Sequence, residues 1–216
     1  MARPHLKKLL VEGEEDKRVI PELMEANGIP WGPTPDHAPA FIQPYDGIDN
    51  LLKPGLIATE LKASGLQTLG IIADADEDAM ERWRRIRSRC LPYFPGIPEA
   101  LPETGLIQAN ASGLTLGIWI MPDNRLRGML ETFLAYLVPS ASQAVWSYAS
   151  EAFGEAQERG ARCKAVHADK ARIHTWLAWQ DPPGRPLHNA VMERILDPRM
   201  SYAQRFVSWF RSLYQL

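Results

Sequence analysis

Asp74 and Asp76 stand two residues apart at the end of the apolar run LGIIADAD, and Glu12 closes an earlier run, HLKKLLVEG. Carboxylates at strand ends bind a cation, exchange protons, or cap the helix that follows. On a continuing strand, residues two apart face the same way, so Asp74 and Asp76 are expected to point together. If Glu12 ends a neighbouring strand, three carboxylates meet. Two such charges about 5 Å apart repel by roughly 3 kcal/mol at an effective dielectric of about 20. A folded chain relieves this by raising a pKa or by binding a cation. Hard oxygen donors favour Mg²⁺ or Mn²⁺ over zinc, and no His/Cys cluster with zinc-like spacing is present. Asp123 closes a further apolar run, LTLGIWIMPD. Glu14, Glu15, Glu77 and Asp78 read as helix-starting acids that offset the helix dipole.

The elements that must carry these acids alternate in type. Strands are predicted at 5–13, 41–47, 66–74 and 114–124, with helices at 14–29, 48–65, 77–91 and 128–138. Pro21 should kink the first helix or shift its start. The second is expected to restart after Pro54–Gly55. In the third, Met80, Trp83, Ile86 and Cys90 form the apolar stripe, with Arg82, Arg84, Arg85 and Arg89 mostly off it. Residues 92–113 are turn-rich, with a hairpin expected around GLIQANASG. The run 66–74 is apolar throughout, as a parallel strand buried on both faces would be. This order predicts an α/β fold: a mostly parallel sheet of about four strands flanked by helices, with right-handed crossovers. From residue 140 onward the pattern is helical. The division is an α/β domain over 1–138 and a helical C-terminal extension over 139–216 packed on it.

A chain of 216 residues is long enough to bury one substantial core. No apolar segment is long enough to span a bilayer, and the N-terminus lacks a signal-peptide pattern. Cys90 and Cys163, far apart in helix-like segments, point to a reducing cytoplasm with no disulfide framework. The formal charge is −2, unevenly spread. Residues 1–158 hold 14 Lys/Arg against 22 Asp/Glu, and residues 159–216 hold 10 against 4. An acidic body and a basic tail result.

LLVEGEEDKRVI followed by LGIIADAD resembles the Toprim domain of topoisomerases, DnaG-type primases and OLD-family nucleases. That signature is a glutamate before a glycine after the first strand, with DxD at the end of the third. Glu12, Gly13, Asp74 and Asp76 match it, and Asp16 fits an acid that nuclease-type members carry one turn into the helix. GIWIMPDNRLRGMLETFL and HTWLAWQDPPGRPL are similar to a Toprim-related family of bacterial proteins, marked by MPDN and then G-x-L-E. The resemblance covers nearly the whole chain and implies a Toprim/Rossmann-like fold. It also implies Mg²⁺- or Mn²⁺-dependent phosphodiester chemistry on DNA or RNA, beside an AAA- or ABC-type ATPase partner; an oligomer is compatible with it. Glu12, Asp74, Asp76 and Asp123 would hold metal, with Glu131 in reserve, and Glu12, Asp16 and Lys170 would take part in catalysis. Lys170 matches a charge-balancing lysine found after the core in OLD-like nucleases.

Other patterns weigh less. DADED differs from the phosphatase motif DxDx[TV] at Asp78 and lies on the third strand, and no nucleotide-sugar signature accompanies it. His174, one turn after Lys170, reads as an ordinary helix histidine, and Asn124 and Arg125 as a turn or as cleft residues. The arginines of ERWRRIRSRC suit phosphate or solvent, and Trp176, Trp179, Phe206, Trp209, Phe210 and Tyr214 read as core. The contrasting function is an interaction or nucleotide-binding module that regulates an ATPase without cleaving anything.

Overall fold

The computed structural model describes residues 5–34 and 37–216. Its strands are β1 (Lys7–Val11), β2 (Phe41–Pro44), β3 (Thr68–Asp74), β4 (Leu106–Ala109) and β5 (Thr115–Met121). The helices are α1 (Glu14–Ala26), α2 (Ile48–Leu51), α3 (Leu56–Leu61), α4 (Ala79–Cys90) and α5 (Leu130–Ala135). The C-terminal part adds α6 (Gln143–Glu158), α7 (Ala168–Ala178), α8 (Leu187–Met192) and α9 (Ser201–Tyr214). The sheet runs in the order β2-β1-β3-β5-β4, parallel except for β4, which pairs antiparallel with β5. The hairpin expected around GLIQANASG is formed by β4 and β5, and β4 is the strand beyond the four expected. The hairpin turn is tied by Asn110, whose Oδ1 accepts from the Ser112 and Leu114 amides.

Side-chain alternation divides the core between the two faces of the sheet. Leu9, Val11, Ile72, Trp119 and Met121 face one apolar cluster, shared with α1, α5 and the C-terminal helices. Leu10, Ile71, Ala73, Ile118 and Ile120 face the other, shared with α2, α3 and α4. The helix after β1 and the helix after β3 therefore lie on opposite faces. The adjacent C-terminal ends of β1 and β3 form the topological switch point, where open α/β sheets bind ligands.

The C-terminal extension is a layer of this core. In the sheet, Gly70 of β3 and Gly117 of β5 are register partners, and together they leave room for α9 to approach. A Cβ on Gly70 would come 2.5 Å from Tyr214 Oη, and one on Gly117 would come 2.6 Å from Leu213 Cδ1. Tyr214 Oη donates to the Lys8 carbonyl at 2.7 Å, and Trp209 Nε1 donates to the Leu106 carbonyl at 3.1 Å. Trp176, Phe206, Trp209, Phe210 and Tyr214 are buried as expected; Trp179 is exposed and stacks on Tyr148 instead.

Pro21 does not shift the start of α1, and one further helix expectation is corrected. Helix α1 runs through Pro21 without a break and starts at Glu14. The missing hydrogen bond costs about 3 kcal/mol. Burial of Val19, Ile20, Leu23 and Met24 gives roughly 1.5–3 kcal/mol each and outweighs it. In α4 the buried face is Ala79, Arg82, Trp83, Ile86 and Cys90, while Met80 is exposed. The stripe is rotated so that an arginine enters it. Cys90 and Cys163 are free thiols, and no described helix is long and apolar enough to cross a membrane.

Gly117→Ala tests the seat of α9. It is expected to destabilise the protein by about 1–3 kcal/mol in urea unfolding, since an inserted methyl overpacks a filled core. Pairing it with Leu213→Ala should recover part of the loss. A Gly117→Ala protein as stable as wild type would contradict the close approach.

Candidate active site

Four acids gather at the switch point. Glu12 follows β1, and its Oε1 accepts from the Asp74 amide at 2.8 Å, tying the ends of β1 and β3 together. Asp16, in the first turn of α1, accepts from the Gly13 amide at 3.0 Å and is almost fully buried. Asp74 ends β3, and its Oδ1 accepts from the Leu130 amide at 2.9 Å. Glu131, buried beside Leu130, pairs with Lys170 Nζ of α7 at 2.9 Å. The G-x-L-E segment thus does three things. Gly128 exchanges both backbone hydrogen bonds with Asp76 at 2.8 Å, Leu130 holds Asp74, and Glu131 joins the acids.

Electrostatics confirm that these acids share one environment. Burial lifts Glu12 from 4.5 to about 7, opposed by the Asp74 amide and Arg82. Burial lifts Asp16 from 3.8 to about 7, with the charges of Glu12 and Glu131 adding to the rise. Asp74 is raised well above its ordinary value, first by burial and then by Asp16, Glu12 and Glu131. Lys170 is raised by its hydrogen bond to Glu131, against its own desolvation. Glu12, Asp16 and Asp74 are therefore held toward their protonated forms at pH values where ordinary carboxylates are charged.

Two of the expected metal ligands are engaged elsewhere, although the charge of Asp76 still acts on Glu12 and Asp74. Asp76 has φ +52°, which ends the strand alternation, so its side chain does not follow that of Asp74. It pairs with Arg82 Nη2 at 2.5 Å and is 41% exposed, at the rim. Asp123 Oδ1 accepts from the Arg125 and Leu126 amides, closing the turn after β5, and its charge acts on Tyr136. MPDN is that turn: Asn124, at φ +69°, accepts from the Ile120 amide at 2.7 Å and donates to the Glu103 carbonyl. Asp78 caps α4 through the Met80 and Glu81 amides, as a helix-starting acid should. His174 is exposed on α7.

Arg82 is the residue that reading by charge missed. It is 5% exposed, and its Nε and Nη1 have no partner among the described residues. Its signal was positional: Ala79, Arg82, Trp83 and Ile86 share one face of α4.

Among the described residues, no three His, Cys, Asp or Glu side chains are arranged around one point as a bound metal requires. Glu12, Asp16 and Asp74 each direct one oxygen to a backbone amide and keep the other. The donor set is nevertheless all carboxylate oxygen, and a cation would relieve the like charge that helps to raise Glu12, Asp16 and Asp74. That chemistry fits a hard divalent ion.

Residues 6–215 match the model of the family described as "Protein of unknown function (DUF3226)". No curated protein matches the chain. Among solved structures it is similar to the C-terminal region of the OLD protein of Xanthomonas campestris pv. campestris. That likeness has 15% identity and a TM-score of 0.46, over 97% of this chain and 95% of that one. It is also similar to the C-terminal region of the Burkholderia pseudomallei OLD protein, at 14% identity and a TM-score of 0.47, over 97% and 98% of the two chains.

The raised acids set a pH dependence. A carboxyl whose folded pKa exceeds its unfolded one stabilises the fold while protonated, and loses that contribution as pH rises through the folded value. With divalent ions chelated, stability should therefore fall between about pH 4 and pH 7, the interval spanned by Glu12 and Asp16. Asp16→Asn is expected to be more stable than wild type at pH 8, by on the order of 1–2 kcal/mol, and to lose that advantage at pH 4. Melting curves at the two pH values decide it; an Asp16→Asn protein less stable at pH 8 would refute the shared strain.

Proposed function

The chain belongs to this family, and from its site we propose that it is a Toprim-like, Mg²⁺- or Mn²⁺-dependent nuclease hydrolysing phosphodiester bonds of DNA or RNA. The observation that carries the reading is the convergence of Glu12, Asp16, Asp74 and Glu131 at the switch point, with the pKa values of Glu12, Asp16 and Asp74 raised. The resemblance of LLVEGEEDKRVI and LGIIADAD to Toprim signatures supports it, as does the G-x-L-E segment that supplies Glu131.

Glu12, Asp16, Asp74 and Glu131 are the residues that would hold the cation. A divalent ion bound there supplies charge neutralisation for a phosphate and lowers the pKa of a water. The chain's own groups do the rest. Lys170, half exposed and steadied by Glu131, offers an ammonium to a phosphate entering from solvent. Glu12, raised to about 7 without a cation, would release its proton on binding one. Arg82 holds Asp76 at the rim. Asp76, paired with Arg82 but with its charge reaching Glu12 and Asp74, stands at the edge of this ligand group, and Asp123 closes a turn.

A second reading is a module that binds a nucleotide or an AAA/ABC-type ATPase without cleavage. The backbone bonds already made by Glu12 and Asp74 favour it.

A cleavage assay with Mg²⁺ or Mn²⁺ on DNA and RNA, with and without an ATPase partner, separates the two. Asp74→Asn should lower the rate by on the order of 100-fold, as loss of a ligand to the charge-neutralising cation would. Lys170→Ala should lower kcat while leaving Mn²⁺ affinity, read by electron paramagnetic resonance, near wild type. Cleavage that survives unchanged in Asp74→Asn would remove this mechanism, and no cleavage under any condition would favour the module.

A further inference from the structure

Asp76 and Gly128 also wall a cavity of about 390 Å³, closed on its other sides by α5, α6 and α7 with the turn before α7. None of Glu12, Asp16, Asp74 and Glu131 lines it, so it is a separate space that meets the acidic group at the rim. Its wall carries two guanidinium groups, Arg127 and Arg172, an aromatic ring, Phe153, and an amide, Gln157.

The cations here have unused donors. Arg127 is largely exposed and stands 3.9 Å from Glu77, a loose pair. Arg172 donates to Asp169 at 3.3 Å and lies 5.5 Å over the Phe153 ring, while its Nε is shut from water with no partner among the described residues. Three acids also stand on the wall: Asp76 is engaged by Arg82, Asp169 by Arg172 and by Thr132 Oγ1 at 2.8 Å, and Glu77 by its loose pair with Arg127. Guanidinium groups match phosphate oxygens, and an aromatic or guanidinium face stacks on any base. A volume near the lower end of ligand pockets, about 300–1,000 Å³, takes one nucleotide and is too small for a base-paired step.

We propose that this cavity between Asp76–Gly128 and α6–α7 is a subsite for a single nucleotide. Its phosphate would meet Arg127 and Arg172, and its base would lie against Phe153. The proposal rests on the nuclease reading and deepens it: the substrate reaches the acids as a single strand or a frayed end, with one nucleotide seated beside the reacting phosphate.

Binding can be read without cleavage. The full chain, with divalent ions chelated, is titrated by calorimetry with adenosine 5′-monophosphate and with inorganic phosphate. The monophosphate should bind more tightly than phosphate. Phe153→Ala should weaken the monophosphate about tenfold and leave phosphate unaffected, and Phe153→Tyr should restore it. Arg127→Gln, at an exposed position that leaves the fold intact, should weaken both ligands. In the Mg²⁺ assay, single-stranded oligonucleotide should be cut faster than the same sequence as a duplex. Monophosphate binding no tighter than phosphate, or unchanged in Phe153→Ala, overturns the subsite even if cleavage is seen, and the nuclease reading then stands alone. Monophosphate binding lost in Phe153→Ala, with no cleavage of any substrate, upholds the subsite and overturns the nuclease reading. Equal or faster cutting of duplex overturns the single-strand assignment.

Discussion

Like charge forced together is the constraint on which this structure depends. Glu12 and Asp74 occupy the ends of adjacent parallel strands, and Asp16 and Glu131 are brought in by the helices beside them. Buried carboxylates that repel one another are costly unless protonated, hydrogen-bonded or joined by a cation. The fold uses the first two devices: backbone amides satisfy one oxygen of Glu12, Asp16 and Asp74, and raised pKa values keep protons on the group. Lys170 and Arg82 offset part of the remainder from the margins. A site built only for stability would carry neutral side chains there.

The C-terminal helices complete this site as well as covering the sheet. Helix α7 delivers Lys170 to Glu131 and Asp169 to Thr132, so two contacts from residues beyond 138 fix the segment that presents Glu131 and Leu130. Helix α9 seats on the paired glycines of β3 and β5 and holds the sheet from the face opposite α4. A change in how α7 or α9 packs would reach the acids through these contacts. The boundary near 138 is thus one of composition, and the apolar cluster runs across it.

The parts of the site that follow strand logic were legible in the sequence. A carboxylate closing an apolar parallel strand lies at the ligand end of the sheet, so Glu12 and Asp74 could be paired across more than sixty residues. The side chain of Asp76 does not follow that of Asp74, because the two-residue alternation holds only while the strand does and a left-handed residue ended it, although its charge still reaches Glu12 and Asp74. Asp123 also closes an apolar run, but Asn124 turns the chain back at once and makes that acid part of the turn. Lys170 had no local pattern to announce it; only the resemblance pointed there, and its partner lies on another helix. Arg82 was hidden among solvent-facing arginines, although its place on the face of Trp83 and Ile86 marked it. The additional strand, β4, was present as a hairpin signal, and its antiparallel pairing follows from the short turn that Asn110 closes.

The central claim is that protons stand where a divalent cation binds, and calorimetry tests it directly. Mg²⁺ is titrated into the protein at pH 7 in two buffers of different ionisation enthalpy, which gives the number of protons released on binding. With Glu12 and Asp16 both raised to about 7 and Asp74 raised as well, the account predicts saturable binding with release of at least about one proton per cation. Binding without proton release, or no binding at all, would contradict it.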